Sequence, residues 1–182
     1  MSKKKLLNHK EIDIILNRLA CQLIENHDDF SETVVIGLQP RGVFVSQRLQ
    51  QLLKETYGLS NIKFGKLDIT FYRDDFMRGD KVLEANKTDI NFIVEDKNVV
   101  FVDDVLYTGR SVRSALTALQ SFGRPKSIEL LTLIDRRFSR HLPIQPDYKG
   151  RQVDAINQER VLVTWKEKDG EDAVYLIREN NE

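Results

Sequence analysis

The stretch from Val99 to Arg113 constrains the fold more than any other part of the chain, because it joins a strand pattern to a helix pattern. Its sequence is VVFVDDVLYTGRSVR. Four apolar residues end at two adjacent acids, and apolar residues at helical spacing begin after the segment TGRS at 108–111. A buried strand, a tight loop and an amphipathic helix in this order are typical of a parallel α/β sheet.

The loop in this stretch has the residues that a phosphate site needs. A loop that opens a helix presents unpaired backbone N–H groups and the positive end of the helix dipole. Gly109 lets the backbone approach a ligand closely, and Thr108 and Ser111 add hydroxyl donors. Asp103 and Asp104 can accept hydrogen bonds from vicinal hydroxyls such as those of a ribose. The pattern predicts a sugar-phosphate site, with Mg²⁺ as a companion because it binds hard oxygens. The alternative is that the acids only end a strand and TGRS only caps a helix.

Strand and helix patterns of the same kind recur along the chain. Residues 9–26 have the apolar spacing of a helix, and residues 34–38 and 127–135 have the pattern of buried strands. Short strands are predicted at 161–163 and 173–177, with a hairpin turn around Asp169-Gly170 between them. Repeated strand–helix units favour a parallel sheet that binds ligands at the carboxyl ends of its strands.

Three segments carry weaker patterns. Residues 61–72 alternate in two phases about Gly65, which predicts a glycine-centred bulge or break in a strand. Lys3, Lys4 and Lys5 are expected to form a basic tail without regular structure. Residues 73–91 are charged and only weakly periodic, which is typical of a lid or a disordered excursion.

Bulk properties limit the classes of function. A chain of 182 residues suits one domain. Its 28 basic and 28 acidic residues cancel, so no overall charge attracts nucleic acid or an anionic membrane, although local basic patches remain open. The single cysteine, Cys21, excludes an internal disulfide. Neither a signal peptide nor an apolar run of membrane-spanning length is visible, so we expect a cytoplasmic protein.

The motif VVFVDDVLYTGRS resembles the PRPP-binding motif of type I phosphoribosyltransferases. The wider sequence is similar to one branch, the pyrimidine operon attenuator proteins that double as uracil phosphoribosyltransferases. The matching stretches are IGLQPRG at 36–42, DITFYRDD at 68–75, VDDVLYTGRSVR at 102–113, GRPKSI at 123–128, and LIDR with HLPI within 133–144. They occur in the expected order and span most of the chain.

The resemblance implies an α/β architecture, the type I phosphoribosyltransferase fold, with a central parallel sheet flanked by helices. A small hood over the base is expected from the N- and C-terminal parts. The whole chain, 1–182, would be a single phosphoribosyltransferase domain with a flexible loop at about 73–91. The family also implies a homodimer or higher homo-oligomer.

The reaction that the resemblance implies joins uracil to PRPP and gives UMP and diphosphate, with Mg²⁺ as cofactor. Asp103, Asp104 and Arg73 are the expected catalytic residues. PRPP or nucleotide contacts are expected from Pro40, Arg41, Asp103, Asp104, Val105, Leu106, Tyr107, Thr108, Gly109, Arg110 and Ser111. The base is expected to meet Arg136, Arg137 or Arg140. Mg²⁺ is expected at Asp103 and Asp104, either directly or through PRPP and water.

One position departs from the purine members of this superfamily, which place a carboxylate facing the base just before the Thr-Gly pair. Here that residue is Tyr107. A tyrosine, with an ordinary pKa of about 10, is a poor general base at neutral pH. This weighs against a hypoxanthine or guanine enzyme. Our hypothesis is that the N1 proton of uracil is acidic enough for the reaction to need no dedicated base.

Three other functions remain open from the sequence. The first is an RNA-binding attenuator of pyrimidine-operon mRNA that responds to UMP and has little catalytic activity. RNA binding needs a basic face, which the net charge of zero does not indicate. The second is a phosphoribosyltransferase for another base or for orotate. The third, a signalling receiver with acids at strand ends, does not account for the TGRS loop.

Overall fold

The computed structural model of the chain describes residues 2–72, 86–156 and 159–178. Its strands are β1 (Ser2–Leu7), β2 (Thr33–Gln39), β3 (Lys63–Asp68), β4 (Asn98–Leu106), β5 (Ser127–Arg136), β6 (Tyr148–Val153), β7 (Glu159–Thr164) and β8 (Ala173–Arg178). Its helices are α1 (His9–His27), α2 (Gly42–Glu55), α3 (Arg110–Leu119) and the single turn α4 (Lys166–Asp169). Short 3₁₀ segments follow β3 at Thr70–Tyr72 and α3 at Gln120–Phe122.

The main sheet has five strands in the order β3-β2-β4-β5-β6, and every neighbouring pair is parallel. The predicted central parallel sheet is therefore confirmed. Its middle strand is β4, so the Asp-Asp pair lies at the centre of the carboxyl edge rather than at a border. In parallel α/β sheets this edge is where ligands bind.

Helices cover both faces of the main sheet. Leu19 of α1 and Leu49 of α2 belong to one buried cluster with Val100 of β4, whereas Leu119 of α3 packs in a second cluster with Phe101. The alternation of Val100 and Phe101 between the clusters follows from the two-residue period of a strand. None of the helices within the described residues has both the length and the apolarity needed to cross a bilayer.

A second, antiparallel sheet has the order β1-β8-β7. We call this sheet, together with α4, the hood. Trp165, between β7 and α4, is fully buried and stacks on Phe44 of α2 with ring centroids 6.1 Å apart. Arg48 of α2 contacts the hood as well. Its Cζ lies 4.9 Å from the Trp165 ring centroid, and its Nη2 lies 2.7 Å from Asp172 Oδ1. These contacts fix the hood to α2.

The predicted bulge at Gly65 is wrong. The parallel register of β2 and β3 is uninterrupted from the Val34–Lys63 pair to the Gln39–Asp68 pair, and the strand ends at Asp68. A Cβ atom at Gly65 would lie 2.9 Å from the ring of Phe92 and 3.1 Å from the Asp89 carbonyl oxygen. Gly65 therefore allows a close approach of residues 89–92 and does not break the strand.

The expectation of an irregular basic tail is also wrong, because Lys3, Lys4 and Lys5 form β1. Lys3 Nζ lies 3.6 Å from the ring centroid of Tyr175 in β8, and Lys5 Nζ lies 3.2 Å from the Glu171 carboxylate. These partners are more than 160 positions away in the sequence. Local composition therefore carries no sign of the pairing.

Candidate active site

The two acids at the end of β4 differ in their surroundings. Asp104 is 8% exposed, and its Oδ1 accepts a hydrogen bond of 2.8 Å from the Val105 N–H. Asp103 is half-buried, and its Oδ1 accepts a 2.9 Å hydrogen bond from the Asp104 N–H. Burial raises the pKa of Asp104, and the positive charge of Arg41 and the Val105 hydrogen bond act in the opposite direction. The pair therefore presents two acceptors in different environments.

Arg41 connects three parts of the site. It precedes α2 and follows the cis peptide bond between Gln39 and Pro40. Its Nε lies 3.3 Å from Asp104 Oδ2, and its Nη2 lies 3.4 Å from Asp169 Oδ2 in the hood. The same Nη2 donates to the carbonyl oxygen of Val163. The guanidinium expected to meet pyrophosphate is thus adjacent to the carboxylate expected to meet ribose.

Gly42 is a site residue that the sequence reasoning missed. A Cβ atom there would lie 2.3 Å from the Val102 carbonyl oxygen and 2.9 Å from the Cα atom of Asp103. Such distances are not tolerated, so only glycine lets the turn before α2 pack against the end of β4. The Arg-Gly pair of QPRG was visible in the sequence, but the sequence did not indicate that β4 packs against this glycine.

The predicted phosphate loop lies between β4 and α3. Val105 and Leu106 are the last residues of β4, Tyr107 is 40% exposed, and Gly109 occupies the N-cap position of α3 with φ +91°. That conformation favours glycine. The helix begins at Arg110, so Ser111 lies in its first turn, and the amides of that turn face the loop that holds Thr108. The arrangement provides backbone donors for an anion.

A supporting segment, residues 140–144, packs behind this loop. The His141 N–H donates to the Thr108 carbonyl oxygen at 3.0 Å, and Leu142 and Ile144 lie where a Gly109 side chain would point. Arg140 donates from Nη1 to the Tyr107 carbonyl oxygen and pairs through Nη2 with Asp135. Arg140 therefore links the loop to the carboxyl end of β5, and both ends of its guanidinium are engaged.

The other two arginines expected near the base are in different positions. Arg137 makes a two-point ion pair with Asp154, at 2.7 and 2.8 Å, and its side chain is 46% exposed. Arg136 is 4% exposed, and its guanidinium carbon lies 4.0 Å from the ring centroid of Tyr107. Of the three, Arg136 alone is buried against the residue that precedes the phosphate loop.

Arg73, expected to be catalytic, and residues 74–85 lie outside the described residues. The residues on either side of them are anchored by Asp68, which the sequence reasoning did not single out. Asp68 Oδ1 accepts from the Thr70 N–H at 2.9 Å, and Oδ2 accepts from the Asn86 N–H at 2.7 Å. Ser114 Oγ also donates to the Tyr72 carbonyl oxygen at 2.9 Å. Both flanks therefore lie at the carboxyl end of β3, beside α3.

The described residues contain no group of three or more His, Cys, Asp or Glu side chains that could hold a metal ion. The donors in the site are Asp103 and Asp104, and Asp104 is already in contact with Arg41. Mg²⁺ commonly binds to one or two carboxylates and completes its shell with substrate phosphates and water. This donor set therefore fits a magnesium ion that is shared with a phosphate-bearing substrate.

Comparisons with known proteins agree with this geometry. A family model described as the phosphoribosyl transferase domain matches residues 2–168. The protein named Bifunctional protein PyrR from Desulfosudis oleivorans is 44% identical over 171 residues, which cover 94% of each chain. Its namesake from Elusimicrobium minutum is 38% identical over 180 residues, 99% of each chain.

Solved structures share the fold at low identity. A hypoxanthine phosphoribosyltransferase from Staphylococcus aureus has a TM-score of 0.69 and 22% identity, with 94% of this chain and 90% of that one covered. A hypoxanthine phosphoribosyl transferase from Trypanosoma cruzi has a TM-score of 0.72 and 16% identity, with 96% and 91% covered. At such identities the likeness concerns the architecture alone.

Proposed function

The chain belongs to the phosphoribosyl transferase family and, within it, to the group of relatives named Bifunctional protein PyrR, and on that premise we propose that it is a uracil phosphoribosyltransferase. The reaction converts uracil and PRPP into UMP and diphosphate. One observation carries the proposal: the Asp103-Asp104 pair, the loop 108–111 and Arg41 meet at the carboxyl edge of one sheet. These groups match the hydroxyls, the 5′-phosphate and the pyrophosphate of PRPP.

Asp103 and Asp104 hold the ribose through its 2′- and 3′-hydroxyls, which donate to carboxylate oxygens. The amides of the first turn of α3 and the hydroxyls of Thr108 and Ser111 hold the 5′-phosphate. Val105, Leu106, Tyr107, Gly109 and Arg110 complete this cradle. Fixing the sugar at two points orients its anomeric carbon, which lowers the entropic part of the barrier.

Arg41, with Pro40 beside it, receives the pyrophosphate, because a guanidinium can donate to two phosphate oxygens at once. The incoming anion competes with Asp104 and Asp169 for this side chain. Asp103 or Asp104 would hold Mg²⁺ together with PRPP, and the ion when bound supplies positive charge to the leaving group. Arg73 is proposed to reach the same pyrophosphate. The hood excludes water from the cationic sugar centre.

The pyrimidine specificity of the proposal depends on Tyr107. It stands where purine enzymes of the superfamily have a carboxylate, and a tyrosine is a poor general base near neutrality. Arg136, Arg137 and Arg140 are the candidate donors to the uracil carbonyls. Their contacts favour Arg136, since the other two are engaged by Asp154 and Asp135.

The test is a pyrophosphate-release assay with PRPP, Mg²⁺ and a panel of bases comprising uracil, hypoxanthine, guanine and orotate. We expect uracil to give the highest kcat/KM. Asp104→Asn should lose activity by about 100-fold or more, because it weakens the hold on the ribose. A purine rate that rivals the uracil rate, or full activity in Asp104→Asn, would contradict the proposal.

A second role, as a UMP-responsive regulator that binds pyrimidine-operon mRNA, has one structural observation in its favour. A groove of about 710 Å³ beside the supporting segment is lined by Arg137, Arg140, Lys149 and Phe138, whose ring is exposed. Cations together with an exposed aromatic ring suit single-stranded RNA. Filter-binding titrations against pyrimidine-leader RNA, with and without UMP, test it. Absence of RNA binding would leave catalysis as the sole function, and RNA binding that UMP does not change would contradict the UMP response.

We also propose that residues 1–182 act as one domain, that the protein works in the cytoplasm, and that it is a homodimer or larger. The single-domain proposal is supported by the antiparallel pairing of β1 with β8 in the hood, which joins distant parts of the chain. Light scattering on the purified protein tests the oligomeric state, and a monomer at the concentration of the assay would contradict it.

A further inference from the structure

Arg136 is a buried positive charge that has no acidic partner among the residues the structure describes. Its Nε is inaccessible to solvent and makes no hydrogen bond within them. Its Nη2 lies 3.4 Å from the Ile156 carbonyl oxygen, a weak contact at best. A buried charge without a partner is costly. An arginine in this state is therefore suited to receive a negatively charged or acceptor-rich ligand.

Glu159 is the acid whose charge acts on Arg136, but both of its carboxylate oxygens accept hydrogen bonds from other groups. Glu159 Oε1 accepts from Arg178, at 2.7 Å from Nη2 and 3.2 Å from Nε, and Oε2 accepts from the Ile156 N–H at 3.1 Å. Burial lowers the pKa of Arg136, whereas Tyr107 and Glu159 act to raise it. A guanidinium remains protonated under these influences.

The aromatic ring of Tyr107 lies against this guanidinium. The Arg136 carbon atom Cζ lies 4.0 Å from the Tyr107 ring centroid, a cation–π distance. Tyr107 is adjacent in sequence to the phosphate loop, and Ile156 lies three positions before β7 of the hood. Arg136 is therefore held between the residue that precedes the phosphate loop and the segment that leads into the hood, beside the proposed sugar-phosphate site.

We propose that Arg136 stabilises the negative charge that the uracil ring acquires when N1 loses its proton, and that Tyr107 is its positioning residue. This inference rests on the proposed function and deepens it. Uracil gives its N1 proton to water, and the N1 electron pair forms the bond to the anomeric carbon. The bond from that carbon to pyrophosphate breaks, and its electron pair leaves with diphosphate. The transient charge is shared by O2 and O4, and the guanidinium donates to one of them.

This arrangement answers how a site without a carboxylate before the Thr-Gly pair can activate its base. A general base would remove the N1 proton, whereas a fixed cation lowers the free energy of the deprotonated ring. The two mechanisms differ in how the rate depends on the acidity of the base. In the second, a substrate whose N1 proton is already more acidic needs the cation less.

The experiment compares Arg136→Gln with the unaltered protein, using uracil and 5-fluorouracil, whose fluorine makes N1 more acidic. We expect kcat/KM for uracil to fall by about 100-fold, the scale for loss of one preorganised charge-stabilising donor. The loss for 5-fluorouracil should be clearly smaller. The uracil rate of Arg136→Gln should also rise with pH over the range where the unaltered protein is level.

Two further variants separate chemistry from folding. Arg124→Gln, which removes an exposed arginine just before the amino end of β5, away from the carboxyl edge of the sheet, should behave as the unaltered protein with both bases. Tyr107→Phe keeps the ring and should leave the ratio of the uracil and 5-fluorouracil rates unchanged, whereas Tyr107→Leu should reproduce the base-dependent loss of Arg136→Gln. Since Tyr107 is partly exposed, the leucine variant supplies the comparison even where Arg136→Gln does not fold.

The outcomes are distinguishable. Equal losses with uracil and 5-fluorouracil, in Arg136→Gln or in Tyr107→Leu, would overturn the inference and leave the proposed function intact. If the unaltered protein released no diphosphate with uracil, both would fail. Calorimetric titration with PRPP should give unchanged affinity in Arg136→Gln, and a matching loss of PRPP affinity would also count against the inference.

Discussion

At the scale of single residues, the burial that accompanies the proposed binding role of the Asp104 carboxylate comes at the expense of stability. Burial raises its pKa above the ordinary aspartate value, so the native state binds more protons than the unfolded chain. The stability of the native state therefore falls as pH rises from the ordinary aspartate range through the native pKa. We predict that Asp104→Asn unfolds at a higher temperature than the unaltered protein at neutral pH, although it loses activity.

The difference in unfolding temperature should shrink toward acid pH, because Asp104 is then protonated in both states. Thermal unfolding followed by circular dichroism between about pH 4 and about pH 8 measures this dependence. Asparagine can still accept the hydrogen bond from the Val105 N–H, which makes the substitution conservative. A variant less stable than the unaltered protein across this range would show that the Arg41 pairing outweighs the cost of burial.

Gly42 provides a second prediction at this scale. Gly42→Ala places a Cβ atom 2.3 Å from the Val102 carbonyl oxygen, so the turn and the end of β4 must separate. We expect the free energy of unfolding to fall by about 3 kcal/mol or more, with a large loss of activity. Urea denaturation and the pyrophosphate-release assay measure the two effects.

Gly58→Ala is the matched control for that substitution. Gly58 has φ +71°, and no atom lies within 4 Å of the point that an alanine Cβ would occupy, so only backbone strain of about 1 kcal/mol is expected. Full activity in Gly42→Ala would contradict the view that this turn and the two acids depend on one close backbone contact.

The residues of the candidate site were predictable where they are contiguous and hidden where they are not. Asp103, Asp104 and the loop 108–111 form one run of sequence, so their chemistry could be inferred without a structure. Asp169 contacts Arg41 from 128 positions away, and nothing in the segment KEKDGED indicates that contact. Asp68 likewise gains its role from its spatial relation to Asn86.

At the scale of elements, α2 and the hood are joined by a charge cluster centred on the buried carboxylate of Asp172. Arg48 pairs with Asp172 at 2.7 Å and with Glu167 at 3.0 Å, and it lies over Trp165. Arg48→Ala leaves the buried carboxylate of Asp172 without its arginine. We predict a loss of about 3 kcal/mol in the free energy of unfolding, measured by urea denaturation.

The control for this cluster is Arg137→Ala, which removes an arginine from an exposed pair with Asp154. Exposed pairs contribute little, so no measurable change in stability is expected there. Because Asp169 of the hood contacts Arg41, activity should also fall in Arg48→Ala. A stable, fully active Arg48→Ala would mean that other contacts fix the hood.

The elements that the sequence predicted are those with a strong apolar period. Residues 34–38 and 127–135 lie within β2 and β5, and residues 9–26 lie within α1, because burial on the main sheet imposes a visible pattern. Two of the four edge strands, β1 and β6, are mostly polar and were not predicted. They have too few apolar residues to show the apolar pattern that indicated the other two edge strands, β3 and β7.

At the scale of the whole molecule, the two ends of the described chain share one sheet. Removal of residues 2–6 deletes most of β1 but keeps Leu7, which is buried, and the Asn8–Glu11 capping box of α1. We predict that the main sheet still folds, shown by a near-native far-UV spectrum. Activity should fall by about tenfold, because the hood loses an edge and shifts.

The double substitution Lys3→Ala with Lys5→Ala is the control for this truncation, since it keeps the β1 backbone pairing and removes only the two lysine side chains that contact Tyr175. Its activity should remain close to that of the unaltered protein. A truncated protein with full activity would show that β7 and β8 alone suffice for the hood.

The pairing of Ser2 with Arg178 has a consequence for how the molecule is made. At a synthesis rate of about 5–20 residues per second, β1 leaves the ribosome roughly ten to thirty seconds before its neighbour β8 exists. During that interval the main sheet can assemble on the nascent chain, while β1 waits with its hydrogen-bonding groups unmatched. A chain released before β8 is translated therefore lacks the middle strand of the hood sheet, which is complete only when translation has passed Arg178.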